Sequence, residues 1–187
     1  MRKISTFNFI TLDGYYKGIN DDISWHKRGG GDDENEFSAK SAGSGNTLLF
    51  GRVTYQMMAS WWPTPMAAQQ MPEIAKGMNE TEKIVFSKTL SNAAWNNTRI
   101  INDDLIEAVK KMKQEPGHDI TILGSGSIIA QLAEHNLIDT YTIMLDPLAI
   151  GNGTSLFKGM KHQLDLELAD TRTFRSGRML LTYQAKK

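Results

Sequence analysis

Apolar and polar positions alternate loosely over residues 2–12 and stop at Asp13-Gly14, a pattern that predicts a first strand closed by a turn. A polar, glycine-rich loop follows from Gly18 to about Asp33, carrying Trp25 and Gly29-Gly30-Gly31. The acidic pair Asp32-Asp33 favours a helix N-terminus, and residues 34–41 read as a short helix. Thr47-Leu48-Leu49-Phe50 reads as a buried strand closed by Gly51, followed by a helix over residues 53–60 that Trp61-Trp62-Pro63 stops. One further helix is expected within residues 65–78, then short strands at Lys83–Phe86 and Thr98–Ile101. Asn102 or Asp103 caps a helix over residues 104–114, whose Leu105, Ile106, Val109 and Met112 share one face.

The run at residues 119–127, DITILGSGS, is the most informative. Ile120, Ile122 and Leu123 read as a buried strand, Gly124-Ser125-Gly126-Ser127 as a turn, and Ile128, Ile129, Leu132 and Ala133 as one face of a helix. Residues 137–148 form a long strand, Gly151-Asn152-Gly153 a turn, and residues 164–174 and 178–184 a hairpin around Ser176-Gly177. No linker, repeat or low-complexity tract divides the chain, so residues 1–187 are read as a single domain. Strands alternating with helices imply a three-layer α/β/α domain. Its sheet is mixed and mostly parallel, with the C-terminal hairpin as an antiparallel edge.

Composition narrows the function. Twenty-one basic and twenty-one acidic residues cancel, which argues against nucleic acid as a partner. Cysteine is absent, so thiolate chemistry and Cys-ligated metals are excluded, and His26, His118, His135 and His162 show no metal-ligand spacing. The opening Met1-Arg2-Lys3 resembles a signal peptide, but Ser5, Asn8 and Thr11 break the apolar run. No apolar run is long enough to span a membrane, and the cytoplasm is the expected compartment.

Three strands end in small or polar residues: Gly51-Arg52-Val53-Thr54, Ser87-Lys88, and Gly124 to Ser127. Ligands of open α/β sheets bind outside the carboxyl ends of the strands, so these sets converge on one groove. A glycine-rich turn entering a helix exposes backbone N–H groups and the positive end of the helix dipole, which suits a phosphate. Each set also has a purely structural reading: Gly51 permits close strand–helix packing, Ser87 ends a strand, and Arg52 and Lys88 are solvated. Asp13 is the candidate catalytic or substrate-binding carboxylate, the alternative being a turn cap bonded to its own backbone. Trp25, Trp61 and Trp62 offer a stacking wall, and Met57, Met58 and Met71 a pocket lining or core filler. If the segment after the first strand stays extended, one of Tyr15 and Tyr16 faces the groove.

The GR-x-T set, the strand ending in Ser and the I-L-G-S-G-S turn resemble the dihydrofolate reductase superfamily, as does the late D-x-x-x-x-x-L-D-P-L-x-x-G-x-G-x-x-L-F segment. The branch most similar is the reductase domain of the bifunctional riboflavin-biosynthesis deaminase/reductase. Its S/T-L-D-G signature is matched by Thr11-Leu12-Asp13-Gly14, and the resemblance spans about residues 2–185. It implies NADPH-dependent hydride transfer to a pterin-like or pyrimidine-type heterocycle or its ribosylamino precursor, as in a 5-amino-6-(5-phosphoribosylamino)uracil reductase. Carried over by motif, Gly51, Arg52 and Thr54 contact cofactor phosphates. Ser87 and Lys88 lie near the adenosine 2′-phosphate, and Gly124, Ser125, Gly126 and Ser127 hold the pyrophosphate. Two departures stand out: Gly124-Ser125 replaces the family's glycine pair, and Asp33, Glu34 and Glu36 compete for the substrate carboxylate of the first helix, with Asn35 at the aligned position.

Two other classes of function remain open, a dinucleotide-binding module without turnover and a structural oligomerisation domain. A homodimer is expected, because Tyr141, Ile143, Leu166, Leu168, Leu180 and Tyr183 form alternating apolar rows on the late strands.

Overall fold

The computed structural model describes residues 1–27 and 31–186; Gly29 and Gly30 of the glycine-rich loop lie outside the described residues. In chain order the elements are β1 (Ile4–Thr11), β2 (Tyr15–Lys17), α1 (Asp32–Ala42), β3 (Thr47–Gly51), α2 (Arg52–Ala59), α3 (Pro65–Gln70), α4 (Pro72–Glu80) and β4 (Lys83–Phe86). They continue with β5 (Thr98–Ile101), α5 (Leu105–Gln114), β6 (Ile120–Leu123), α6 (Gly126–Glu134), β7 (Thr140–Asp146), β8 (Thr154–Ser155), β9 (Leu166–Thr173) and β10 (Met179–Ala185). Eight strands make one sheet in the order β5-β4-β3-β6-β1-β7-β10-β9, while β2 and β8 pair separately. The six strands from β5 to β7 run parallel, and β10 and β9 add the antiparallel hairpin.

The parallel strands are short apolar runs because both of their faces are covered. On one face Leu49, Ile84, Ile120 and Ile122 pack with Val109 and Met112 of α5 and with Ile129 and Leu132 of α6. On the other, Phe50 and Val85 meet Tyr55 of α2, Met78 of α4 and Trp95. Met144, Phe174 and Leu180 pack there against Phe37 of α1. The result is the three-layer α/β/α arrangement with a mostly parallel mixed sheet that strand–helix alternation predicts. Full burial of a side chain such as Phe50 contributes about 2–3 kcal/mol. Among the described residues no helix is long and apolar enough to cross a membrane.

The structure differs from the sequence reading in the bounds and packing of several elements. The single helix expected over residues 65–78 is two, because Pro72 forces Met71 out of helical geometry (φ −139°, ψ 63°). Asp104, not Asn102 or Asp103, caps α5, its side chain accepting from the Glu107 N–H at 3.0 Å. The apolar rows of the late strands divide between faces. Leu180 turns toward Phe174, Tyr141 and Ile143 are buried on the α6 side, and Leu168 remains 53% exposed.

Lys83 is a charged residue at the start of a central strand and is fully buried. Its ammonium donates to the carbonyls of Met78 (2.8 Å), Asn79 (3.2 Å) and Thr81 (2.6 Å), and it lies 4.5 Å from the centre of the Trp95 ring. These three carbonyls end α4, so the side chain works as a helix C-terminal cap built from the next strand. Burial pushes its pKa down to about 8. Lys83→Met should therefore cost about 2–4 kcal/mol at neutral pH, read by denaturant unfolding, because three carbonyls lose their donor. Between pH 8 and 10.5 the unfolded chain holds the Lys83 proton and the folded chain sheds it. The wild-type advantage over the variant should therefore widen as pH rises through that window.

Candidate functional site

The chain leaves β3 for β4 on one side and leaves β6 in the opposite direction, passing β1 to reach β7. Neighbouring strands β3 and β6 are thus the point at which the connections part, where α/β sheets open a crevice at the carboxyl edge. The residues singled out by motif gather there. Gly51 pairs in register with Phe86, so Ser87 and Lys88 leave β4 beside Arg52. On the other side Leu49 pairs with Ile122, which brings Gly51 level with the turn that follows β6. Both α2 and α6 begin at this edge without a side-chain cap. The N–H groups of their first turns therefore point out of the helices toward the opening.

The two turns interlock. Gly124 and Ser125 both adopt left-handed backbone, at φ 64° and 58°. Ser125, only 6% exposed, accepts a hydrogen bond from the Gly51 N–H at 3.0 Å. A Cβ on Gly124 would stand 3.0 Å from the Thr54 methyl, so Thr54 packs directly on that glycine. The Gly124 N–H donates to the Phe7 carbonyl at 3.0 Å, and the Asn8 amide bridges the carbonyls of Phe7 and Gly124. One expectation changes here: Gly51 does not offer its N–H to a phosphate, because Ser125 has taken it. The Thr54 methyl serves as a packing contact between the turns. Arg52 is exposed and pairs along its own helix with Gln56 at 3.0 Å. Ser87 accepts from the N–H groups of Thr89 and Leu90, closing its own turn and leaving its hydroxyl proton to donate, and Lys88 is exposed. Ser127 is exposed at the start of α6.

A strap made of β2 and β8 lies over this edge. Tyr15 pairs with Ser155 and Lys17 with Thr154. The Tyr16 ring rests on Gly126 so closely that a Cβ there would meet the ring carbons at 2.6 Å. Gly126 has no positive φ, so closeness alone excludes a side chain; the close approach expected of a ligand is made here by Tyr16. Asp13 anchors the strap from its base. Its carboxylate accepts from the Thr11 hydroxyl at 2.5 Å and from the N–H groups of Ile150 (3.1 Å) and Gly151 (2.7 Å). The Thr11 bond, followed by those of Gly151 and Ile150, holds its pKa below the ordinary Asp value. Asp13 is thus neither the simple turn cap nor an uncommitted substrate carboxylate. It clamps the loop after β1 to the loop after β7.

Two of the first-helix carboxylates, Asp33 and Glu34, are also committed. Glu34 is buried and ion-paired with Arg178 at 2.6 Å, and it accepts from the Ser176 hydroxyl. Arg178 holds Asp146 at 2.7 Å as well and donates to the His26 carbonyl at 3.0 Å. Burial pushes the Asp146 carboxyl up against the pull of Arg178. Burial also opposes the Arg178 charge, but its bonds to Asp146 and Glu34 prevail and raise its pKa. The sequence reading missed this network, although an Asp inside TIMLDPL is a signal, since a charge in an apolar strand requires a partner. Asp33 binds the Arg175 N–H at 3.1 Å, and Glu36 lies on the exposed side of α1. Trp25 is buried and stands edge-on to His26, which stacks on Phe9. Trp62 binds the Met58 sulfur, while Met57 and Met71 are exposed.

A mostly parallel sheet with an antiparallel C-terminal hairpin, and two interlocked turns at its switch point, define an α/β protein with a candidate ligand edge. Residues 2–180 match the RibD C-terminal domain family, and the chain belongs to that family. It is 30% identical over 178 residues to the uncharacterized protein YyaP of Bacillus subtilis (strain 168), covering 93% of this chain and 90% of YyaP. The closely similar fold of a Shewanella sp. PV-4 protein, assigned provisionally to riboflavin biosynthesis, superposes with TM-score 0.75 at 18% identity over 99% of both chains. The diaminohydroxyphosphoribosylaminopyrimidine deaminase/5-amino-6-(5-phosphoribosylamino)uracil reductase of Thermotoga maritima gives 0.68 at 11% identity. That match takes in 99% of this chain and 57% of the Thermotoga protein.

The contact between Tyr16 and Gly126 makes a direct prediction. Gly126→Val should destabilise the protein by about 1–3 kcal/mol, because the strap must move off α6. Adding Tyr16→Ala should recover most of that loss in a double-mutant cycle of unfolding free energies. Additive losses would show that the ring and the glycine do not oppose one another.

Proposed function

We propose that this protein is an NADPH-dependent reductase of a small pyrimidine-type or pterin-like heterocycle, or of its ribosylamino precursor. Membership of the RibD C-terminal domain family supports a reductase-like role. The observation that carries the reading furthest is the pair of uncapped helix N-termini meeting at the β3–β6 switch point. That donor set fits a dinucleotide: the first turn of α6, at the exposed Ser127 beside the Tyr16-covered Gly126, faces the pyrophosphate, and α2 adds a second positive helix end. Gly124, Ser125, Gly51 and Thr54 shape the turns, while Arg52, Ser87 and Lys88 are the groups for a 2′-phosphate. When bound, NADPH supplies the hydride from its nicotinamide ring. The protein's part is to orient the two reactants and exclude water. The substrate lies beyond β6, toward β1 and α1.

A second reading, a dinucleotide-binding module without turnover, draws support from the carboxylates. Asp13 and Glu34 are each engaged by protein donors, which leaves neither poised as a proton donor. In both readings the partner is a small molecule, met in the cytoplasm, and no nucleic acid or membrane is involved. The chain acts as a homodimer through the apolar remainder of the late strands, where Leu168 and Met179 stay exposed. Light scattering should then report twice the 20.9 kDa chain mass at micromolar concentration, and a monomer would overturn the dimer.

NADPH should bind more tightly than NADH, because Arg52 and Lys88 meet a phosphate that NADH lacks. Each charge-assisted bond contributes about 1.5–3 kcal/mol. Calorimetry on wild type and Arg52→Ala tests this, and equal affinities of wild type for the two nucleotides would overturn the phosphate assignment. Oxidation of bound NADPH by a panel of pyrimidine and pterin substrates separates reductase from binding module.

A further inference from the structure

Ser125 occupies a place where glycine would be the cheaper residue. It sits in left-handed backbone (φ 58°, ψ 51°) directly after Gly124, which is left-handed too. Strain of this kind in a buried, well-packed residue persists only where the side chain or the surroundings hold it. The surroundings are specific. The Ser125 hydroxyl oxygen takes the Gly51 N–H at 3.0 Å, across the gap between β3 and β6 at which the connections part. The Ser125 carbonyl accepts from the N–H groups of Ile128 (2.9 Å) and Ile129 (3.1 Å) and so starts α6. Ile128 closes the same joint from behind, lying 3.5 Å from where a Gly51 Cβ would stand. One residue therefore begins one helix and holds the residue that begins the other.

We propose that Ser125 is a positioning residue. By withdrawing the Gly51 N–H it sets the spacing and mutual orientation of the α2 and α6 N-termini for the dinucleotide. The inference rests on the reading of the edge as a dinucleotide site. Its physical content is preorganisation: a glycine at 125 leaves the two turns joined only by packing, with the Gly51 donor free to seek water. The side chain need not touch the ligand to set its affinity.

Two variants of the full chain, Ser125→Gly and Ser125→Ala, separate this role from plain stability. Both remove the acceptor, but glycine relieves the left-handed strain and alanine keeps it. The melting temperature should hold or rise in Ser125→Gly and fall in Ser125→Ala. The Gly51 amide should exchange faster in both, and both should weaken NADPH binding on the order of tenfold by calorimetry. A Ser125→Gly protein that binds NADPH as wild type does would overturn the positioning role. Unchanged Gly51 exchange in that variant would overturn the fastener itself, with or without a cofactor. Wild type that fails to bind NADPH at millimolar concentration would instead overturn the functional reading, and the exchange and melting results would still decide whether Ser125 joins the two turns.

Discussion

A helix that begins at the edge of a sheet carries backbone donors that its own turns cannot satisfy, and this protein starts two such helices side by side. That constraint organises the carboxyl edge of the sheet. Neither α2 nor α6 receives a side-chain cap. The donor at Gly51 is taken by the hydroxyl of a serine held in left-handed backbone. The parallel register of β4, β3 and β6 then brings three strand ends to one level, at the place where the connections part between β3 and β6 and beneath the β2–β8 strap.

Much of the architecture was legible because the signals were local. Leu49-Phe50 and Ile84-Val85 are apolar on consecutive positions, as strands covered on both faces must be, and Leu105, Val109 and Met112 repeat at helical spacing. The glycine-rich turn after β6 and the Gly51-Arg52 junction were legible for the same reason. The strap was not, because strands of two and three residues carry no periodicity. Nothing in Tyr15-Tyr16-Lys17 announces pairing with residues more than a hundred positions later. The clamp that Asp13 makes between two loops was missed likewise. An Asp-Gly pair has a sufficient local explanation, and its long-range partners are backbone N–H groups that no side chain marks.

The Glu34–Arg178–Asp146 network bears on specificity. Three charges are buried together at the end of β7, with Arg178 held from two sides. Removing Arg178 would leave two buried carboxylates uncompensated in a low-dielectric setting, which costs more than an intact pair contributes. One Asp146 oxygen has no hydrogen-bond partner among the described residues. The first-helix acid at Glu34 is therefore a fixed internal charge, committed to Arg178 and Ser176 rather than held ready for a ligand. The relatives share a fold, and the chemistry at this end of the groove belongs to the residues each one places there.

Gly153 is packed against the Lys17 carbonyl with no room for a side chain, while Asp13 holds the backbone at Ile150 and Gly151. The loop after β1 and the loop after β7 are thus fastened at two points only a few residues apart. They behave as one mechanical part supplied by two distant stretches of chain. A residue inserted into either loop would shift one fastening relative to the other, so a length change on one side is tolerated only with a matching change on the other. Swapping a single loop from a relative would fail for the same reason, whereas exchanging both together would carry the whole strap across intact.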